Sequence, residues 1–307
     1  MLAGHVRGRP QDNPSGRSSR LTVNHPTSTA ERVTDVFDTH CHLWTLSRGD
    51  YSWLTPEYPA LYRDFLPSDL LPIVGPLGVT GVVVVQAAAT EAETTYLLGL
   101  ASSHALIRGV VGWTDLYCQA AADRIEALVA AHGALLKGFR LVLDDLPPTS
   151  GCQSRLELSL RTMARHNLVL DILSSFQRFH DVRRLLDAAP GLRIVLNHAG
   201  SPTGGVNMLS RWRDALICMA DAPYIYCKVS GLTNPELLLR DYEIDAVMKH
   251  SLEVFGAERL LWASDWPVLC LASDYSTWLE RCRSFFGFLS GEAQQRIFYG
   301  NAAQLYG

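Results

Sequence analysis

Val36-Phe37-Asp38-Thr39-His40-Cys41-His42-Leu43-Trp44 is a short apolar run that ends in two histidines one residue apart. Successive side chains of a β-strand alternate between faces, so His40 and His42 share a face at the C-terminal end of such a strand. Two imidazoles placed side by side can ligate one metal ion, or grip one anion or carbonyl. The plain alternative is a pair of unrelated histidines at a strand end. What the rest of the chain sets opposite them decides between the two.

Downstream, short apolar runs alternate with amphipathic stretches. Gly81-Val82-Val83-Val84-Val85-Gln86 is a continuous β-branched run of the kind buried on both faces of a parallel sheet. Further strands are expected at 107–113, 136–141, 168–173, 193–197, 224–229 and 260–264, and helical segments at 120–132, 156–166, 179–189 and 242–255. Pro190-Gly191 supplies a stop signal for the third of these helices. Eight strands, each followed by a helix or loop, predict an α/β fold, a single (β/α)8 TIM barrel over 35–307. That span suits a fold that typically needs about 250 residues. An open doubly wound sheet is disfavoured, because neither GxGxxG nor GxxxxGK[ST] follows any strand. The long connection 43–76, rich in aromatic residues and proline, would lie at the C-terminal face, where barrel enzymes place their sites.

Composition narrows the function classes. The chain has 307 residues, is 48% hydrophobic and 19% charged, and carries a formal net charge of −4. Nucleic-acid and anionic-membrane surfaces normally show clustered Lys and Arg, so neither partner is expected. No apolar run approaches the roughly 20 residues needed to cross a bilayer. Seven cysteines without CxxC pairing form neither a disulfide framework nor a zinc knuckle, which points to a reducing, cytoplasmic setting. Residues 1–34 differ from the rest: Arg7, Arg9, Arg17 and Arg20 stand among Ser, Pro, Gly and Asn, with no apolar signal core. They are expected to be a disordered, non-catalytic extension.

On this strand assignment, polar groups gather at strand C-termini: His40 and His42, then Arg140, His198, Lys228 and Asp265. One such residue is usually structural. Six at the same end of a barrel converge on one axis.

Several motifs now occur in order. Asp38-Thr39-His40-Cys41-His42-Leu43-Trp44, Gly49-Asp50-Tyr51-x-Trp53-Leu54, Leu196-Asn197-His198-Ala199-Gly200 and Ser264-Asp265-Trp266-Pro267 resemble the amidohydrolase superfamily. Within it they resemble the amidohydrolase-related branch of sugar-lactone and muconolactone lactonases. Val85-Gln86-Ala87, Lys137-Gly138-Phe139-Arg140, Cys227 to Leu232 and Tyr299 to Ala303 extend the resemblance from about residue 35 to the C-terminus.

The resemblance implies a hydrolase that opens a lactone ring, with a sugar-derived aldonolactone as the expected small-molecule substrate. It implies a site of His40, His42, His198 and Asp265 around one divalent metal, Zn²⁺ foremost, although some members of the branch work without tight metal. Many superfamily centres also use a Lys or Glu after strand four and a His after strand five. Here those positions carry Arg140 and Asp171, which excludes a two-metal centre. Branch members often have Asp before the strand-six histidine, where this chain has Asn197.

Asp265 is the expected general base toward water and His198 the group that polarises the carbonyl and helps protonate the leaving oxygen. Arg140 suits a carboxylate or a set of sugar hydroxyls, unless it pairs with Asp144 or Asp171. Lys228 is expected to stabilise developing negative charge, unless it too pairs with an acid. Trp44, Trp53 and Trp266 are expected to wall the pocket. Two other readings stand beside this one: a metal-dependent decarboxylase of aromatic acids on the same barrel, and a non-catalytic barrel with a binding role. A homo-oligomer is compatible with all three.

Overall fold

The computed structural model describes residues 35–144 and 153–307. The 1–34 extension expected to be disordered lies outside them. Eight parallel strands follow one another around the sheet in chain order. They are β1 (Val36–Cys41), β2 (Val79–Val85), β3 (Ile107–Gly112), β4 (Leu136–Val142), β5 (Val169–Leu173), β6 (Arg193–Leu196), β7 (Ile225–Val229) and β8 (Leu260–Trp262). Helices α1 (Pro67–Val74), α2 (Glu91–Ser103), α3 (Ala121–His132), α4 (Gln153–Arg165), α5 (Phe179–Ala188), α6 (Met208–Ile217), α7 (Asp241–Phe255) and α8 (Tyr275–Phe286) alternate with them. Two short helices, α9 (Gly291–Gln295) and α10 (Asn301–Tyr306), end the chain.

Strand alternation sorts the core into two layers. Val82 and Val84 point outward and pack under the helices, while Val83 and Val85 point into the barrel with Val111, Val169, Val195 and Leu261. Tyr306 and Leu305 of α10 close that inner layer at the N-terminal end of the strands. Above this apolar plug the inward positions turn polar: Arg140 on β4, Asp171 on β5 and Lys228 on β7. The interior is therefore apolar at the base and ionisable toward the top.

The seam between β8 and β1 closes outside the regular ladders. Asp265 N donates to the His40 carbonyl at 2.8 Å and His42 N to that of Trp266 at 2.7 Å. The Thr39 hydroxyl donates to the Trp262 carbonyl at 2.9 Å. The segments that close the barrel are thus the same segments that carry His40, His42 and Asp265.

β2 and β3 each end one residue before the sequence pattern suggests, and two further strands stop early for a visible reason. β6 ends at Leu196 and β8 at Trp262, because the backbone then turns into left-handed conformations at His198 (φ 51°), Ala199 (φ 51°) and Asp265 (φ 60°). Non-glycine residues hold that region only when their surroundings enforce it, and such positions cluster at functional sites. The 43–76 connection contains α1, which starts with Pro67 at its first turn, where the missing N–H costs nothing.

Candidate metal centre and cavity

His40, His42 and Asp265 each present a ligand atom, and these atoms lie within 4.8 Å of one another. His40 Nε2 and His42 Nε2 are 3.1 Å apart; Asp265 Oδ1 is 3.6 Å from the first and 3.4 Å from the second. Two N or O ligands about 2.1 Å from a tetrahedral ion sit roughly 3.4 Å from each other. The three donors therefore have the spacing of one face of such a site, and they fit a single divalent ion. No second cluster of metal-binding side chains occurs among the described residues.

Their hydrogen bonds fix tautomers. His42 Nδ1 lies 2.8 Å from the Val85 carbonyl oxygen, which only accepts, so Nδ1 carries the proton and Nε2 keeps its lone pair. His40 is backed differently. The Lys228 ammonium sits 3.3 Å from its Nδ1 and donates to it, leaving the proton on Nε2, from where it points to the His42 lone pair.

His198 stands beside the trio. Its Nε2 is 3.9 Å from Asp265 Oδ1 and its Nδ1 is 2.9 Å from the Ser230 hydroxyl. Asp265 can only accept, which favours the tautomer with Ser230 donating to Nδ1 and the ring proton on Nε2, toward the cavity. Burial, reinforced by nearby Lys228, holds His40 well below the usual histidine range. Burial pushes His198 down to about 4, against the pull of Asp265. For Asp265 burial works against ionisation, but His198, His42 and Arg140 outweigh it and bring the carboxyl below its ordinary value. At neutral pH the site is an ionised Asp265 beside neutral His40 and His198.

A cavity of about 600 Å³ opens above this group. His42, His198 and Asp265 form its floor, Arg140 and Gln86 one wall, and Trp53 with Asp50 another. Asn234 and Glu236, from the turn after β7, complete the rim. The Trp53 indole is held by its N–H to the Ala87 carbonyl at 2.8 Å. Gln86, Asp50, Asn234, Glu236 and Ser230 were not singled out from sequence as site residues. Gln86 directly follows β2 and Asp50 sits in the Gly49–Leu54 motif, so those two carried a readable signal.

Three of the expected substrate contacts lie elsewhere. Trp44 is fully buried and Trp266 is 2% exposed; both stack edge-on against Phe65, behind the cavity wall. Lys228 is completely buried under the floor, where it meets Asp171 at 2.5 Å. An ammonium so deep is stable only when paired, and that need places it below the site rather than in it. Asn197 also donates its side-chain N–H to Asp171. A carboxylate at 197 would face Asp171 with like charge, so asparagine suits this chain. Arg140 bonds neither Asp144, which takes both the N–H and hydroxyl of Ser175, nor Asp171.

Ordered strand-end histidines, a seam aspartate and a single closed barrel are the features by which a family can now be tested. A profile described as Amidohydrolase matches residues 37–307. The chain belongs to the amidohydrolase family. It is 35% identical over 284 residues to an L-fucono-1,5-lactonase of Burkholderia ambifaria, covering 89% of this chain and 96% of that one. An L-fucono-1,5-lactonase of Burkholderia multivorans is 31% identical over 285 residues, with 88% and 95% covered. A crystal structure of a Burkholderia multivorans amidohydrolase with bound zinc superposes with a TM-score of 0.80 at 31% identity, covering 88% of this chain and 98% of that one. In this amidohydrolase Arg140 lines the cavity, whereas Asp171 lies under its floor against Lys228 and Asn197. No helix among the described residues is long and apolar enough to cross a membrane.

Proposed function

We propose that the protein is a hydrolase that opens the ring of a sugar-derived lactone, with Asp265 as the base toward water. The observation that carries this reading is an ionised Asp265 carboxylate facing His198 Nε2 across the floor of a polar-rimmed cavity. The kinship with two L-fucono-1,5-lactonases supports a 6-deoxyaldonolactone or a close relative as substrate.

In ring opening, water adds to the ester carbonyl carbon while Asp265 takes its proton. The ring C–O bond then breaks, and the same proton returns to the departing oxygen, which the His198 N–H holds as negative charge develops there. The product is a hydroxy acid. His40, His42 and Asp265 would hold a divalent ion, and the chemistry it supplies is Lewis acidity toward a carbonyl or a water. Trp53 offers a flat apolar face to one side of a sugar ring, and Asp50, Asn234 and Glu236 offer acceptors to its hydroxyls. The decarboxylase and binding-barrel alternatives gain no support from these relatives.

The test is proton release on a panel of aldonolactones, with hydroxybenzoates assayed for CO₂ in parallel. L-Fucono-1,5-lactone should be hydrolysed, and Asp265→Asn should lower kcat by about 10²–10⁴-fold, the usual weight of a positioned acid–base group. Unchanged turnover in Asp265→Asn, or activity confined to the aromatic acids, would overturn the proposal.

A further inference from the structure

Arg140 is more than nine-tenths buried, yet it lines the cavity and makes no direct ion pair among the described residues; Asp171, Asp265 and Glu93 act on its charge only from farther off. NH1 donates to the Gln86 carbonyl at 3.2 Å, and Nε has no hydrogen-bond partner among the described residues. The two carboxylates nearest to it along the sheet are already satisfied, Asp171 by Lys228 and Asn197, Asp144 by Ser175. A guanidinium has five N–H donors and cannot shed its charge, so a buried one left this far unpaired is costly unless an anion joins it. Neutral sugar hydroxyls would meet its donors but not its charge.

We infer that Arg140 is a carboxylate subsite, and that its occupant is the carboxylate that ring opening creates. The neutral lactone enters beside Arg140. Once the ring C–O bond breaks, the cavity holds an acid that ionises, and the planar fork of Arg140 can take both of its oxygens. Tight product binding follows, and so does inhibition by the ring-opened acid. The same chemistry would serve a carboxylate already present on the substrate, and the test separates the two sources. The inference rests on the lactone-hydrolase reading, but binding measured without turnover keeps the two failures distinguishable.

The probes are L-fuconate, the ring-opened acid of L-fucono-1,5-lactone, and L-fucitol, which has the hydroxyls but no charge. Calorimetry on the full chain should show wild type preferring fuconate by about tenfold or more, the weight of one charge-assisted bidentate pair. Arg140→Met should erase that preference, costing fuconate about tenfold more affinity than it costs fucitol, and Arg140→Lys should restore part of it. Melting curves of each variant identify any that fails to fold, and Arg140→Lys, which keeps the charge, carries the test if Arg140→Met does. Steady-state KM then assigns the source. If Arg140→Met raises KM for a glucarolactone that carries its own carboxylate, but not for the neutral fuconolactone, the substrate brings the anion; if neither KM moves while fuconate affinity falls, the product does. Equal affinity of wild type for fuconate and fucitol, or an equal loss of both in Arg140→Met, would overturn the inference.

Discussion

Two buried carboxylates back the site from opposite sides of the barrel, and they are held in opposite ways. Asp38, on β1, accepts only from neutral donors: the Ser264 N–H at 2.9 Å, the Ser264 hydroxyl at 2.6 Å, the Tyr275 hydroxyl at 2.9 Å and the His40 N–H at 3.1 Å. Asp171, on β5, is met by the Lys228 ammonium and the Asn197 amide. The first arrangement is a clasp. It ties β1 to the segment after β8, and so fixes the spacing between the histidine pair and Asp265. The second is a charge pair under the floor, and its Lys228 also reaches the back of His40. Dipoles can hold a carboxylate and forgive a missing partner; a buried ion pair cannot, because either half alone is an uncompensated charge.

That contrast orders the expected effects. Lys228→Met leaves Asp171 charged and unpaired, and should cost about 3–5 kcal/mol of stability in urea or thermal unfolding. The double variant Lys228→Met with Asp171→Leu should recover most of this loss; no recovery would mean that the pair is not the source. Gly231→Ala comes next. Gly231 has φ +65°, and a Cβ there would lie 2.6 Å from His198 Nδ1, so the ring must move. A displacement of this kind should lower kcat/KM by about 10²-fold while the charge pair stays intact.

Breaking the clasp should be milder for stability and more telling for the metal. Asp38→Asn should cost about 1–3 kcal/mol, because an amide presents N–H groups to donors that need acceptors. It should also weaken divalent-metal affinity by about 10–100-fold, as removal of an outer support of metal ligands generally does. Tyr275→Phe removes one hydroxyl from the same clasp and should cost about 1 kcal/mol. If Asp38→Asn lowered stability but left metal affinity untouched, the clasp would be a fold element only. Acidity sharpens the point. Burial outweighs the hydrogen bonds and raises the Asp38 carboxyl above its ordinary 3.8. A folded-state pKa above the unfolded one gives stability that is full below pH 3.8 and is lost as pH rises through the raised value. The gap in unfolding free energy between wild type and Asp38→Asn should therefore narrow as pH increases from about 4. A gap that widens with pH would contradict this description of Asp38.

The barrel was legible because its signals are local. Val82 to Val85 read as a strand buried on both faces, and the strand period alone put His40 beside His42. The single-metal reading followed from Arg140 and Asp171 at positions where second-metal ligands would otherwise stand. What stayed hidden depends on long-range approach or depth. Tyr275 meets Asp38 across 237 residues of sequence, and no local pattern announces it. Lys228 shares its inward register with true cavity residues, and only its height above Tyr306 puts it beneath the floor, with Nζ 6.0 Å from that ring. Trp44 and Trp266 belong to motifs, but their bulk fills space behind the wall. Aromatic residues next to a site are as often its backing as its surface.

The central claim is that the β1–β8 seam itself is the metal and proton-transfer centre. Its most direct test is equilibrium titration of chelator-stripped protein with Zn²⁺, comparing wild type with His42→Ala and Asp265→Asn. A single tight ion per chain in wild type, weakened at least about tenfold in each variant with the fold intact by melting, is the expected result. Saturable binding that is equally strong in all three proteins, or none in wild type, would contradict it.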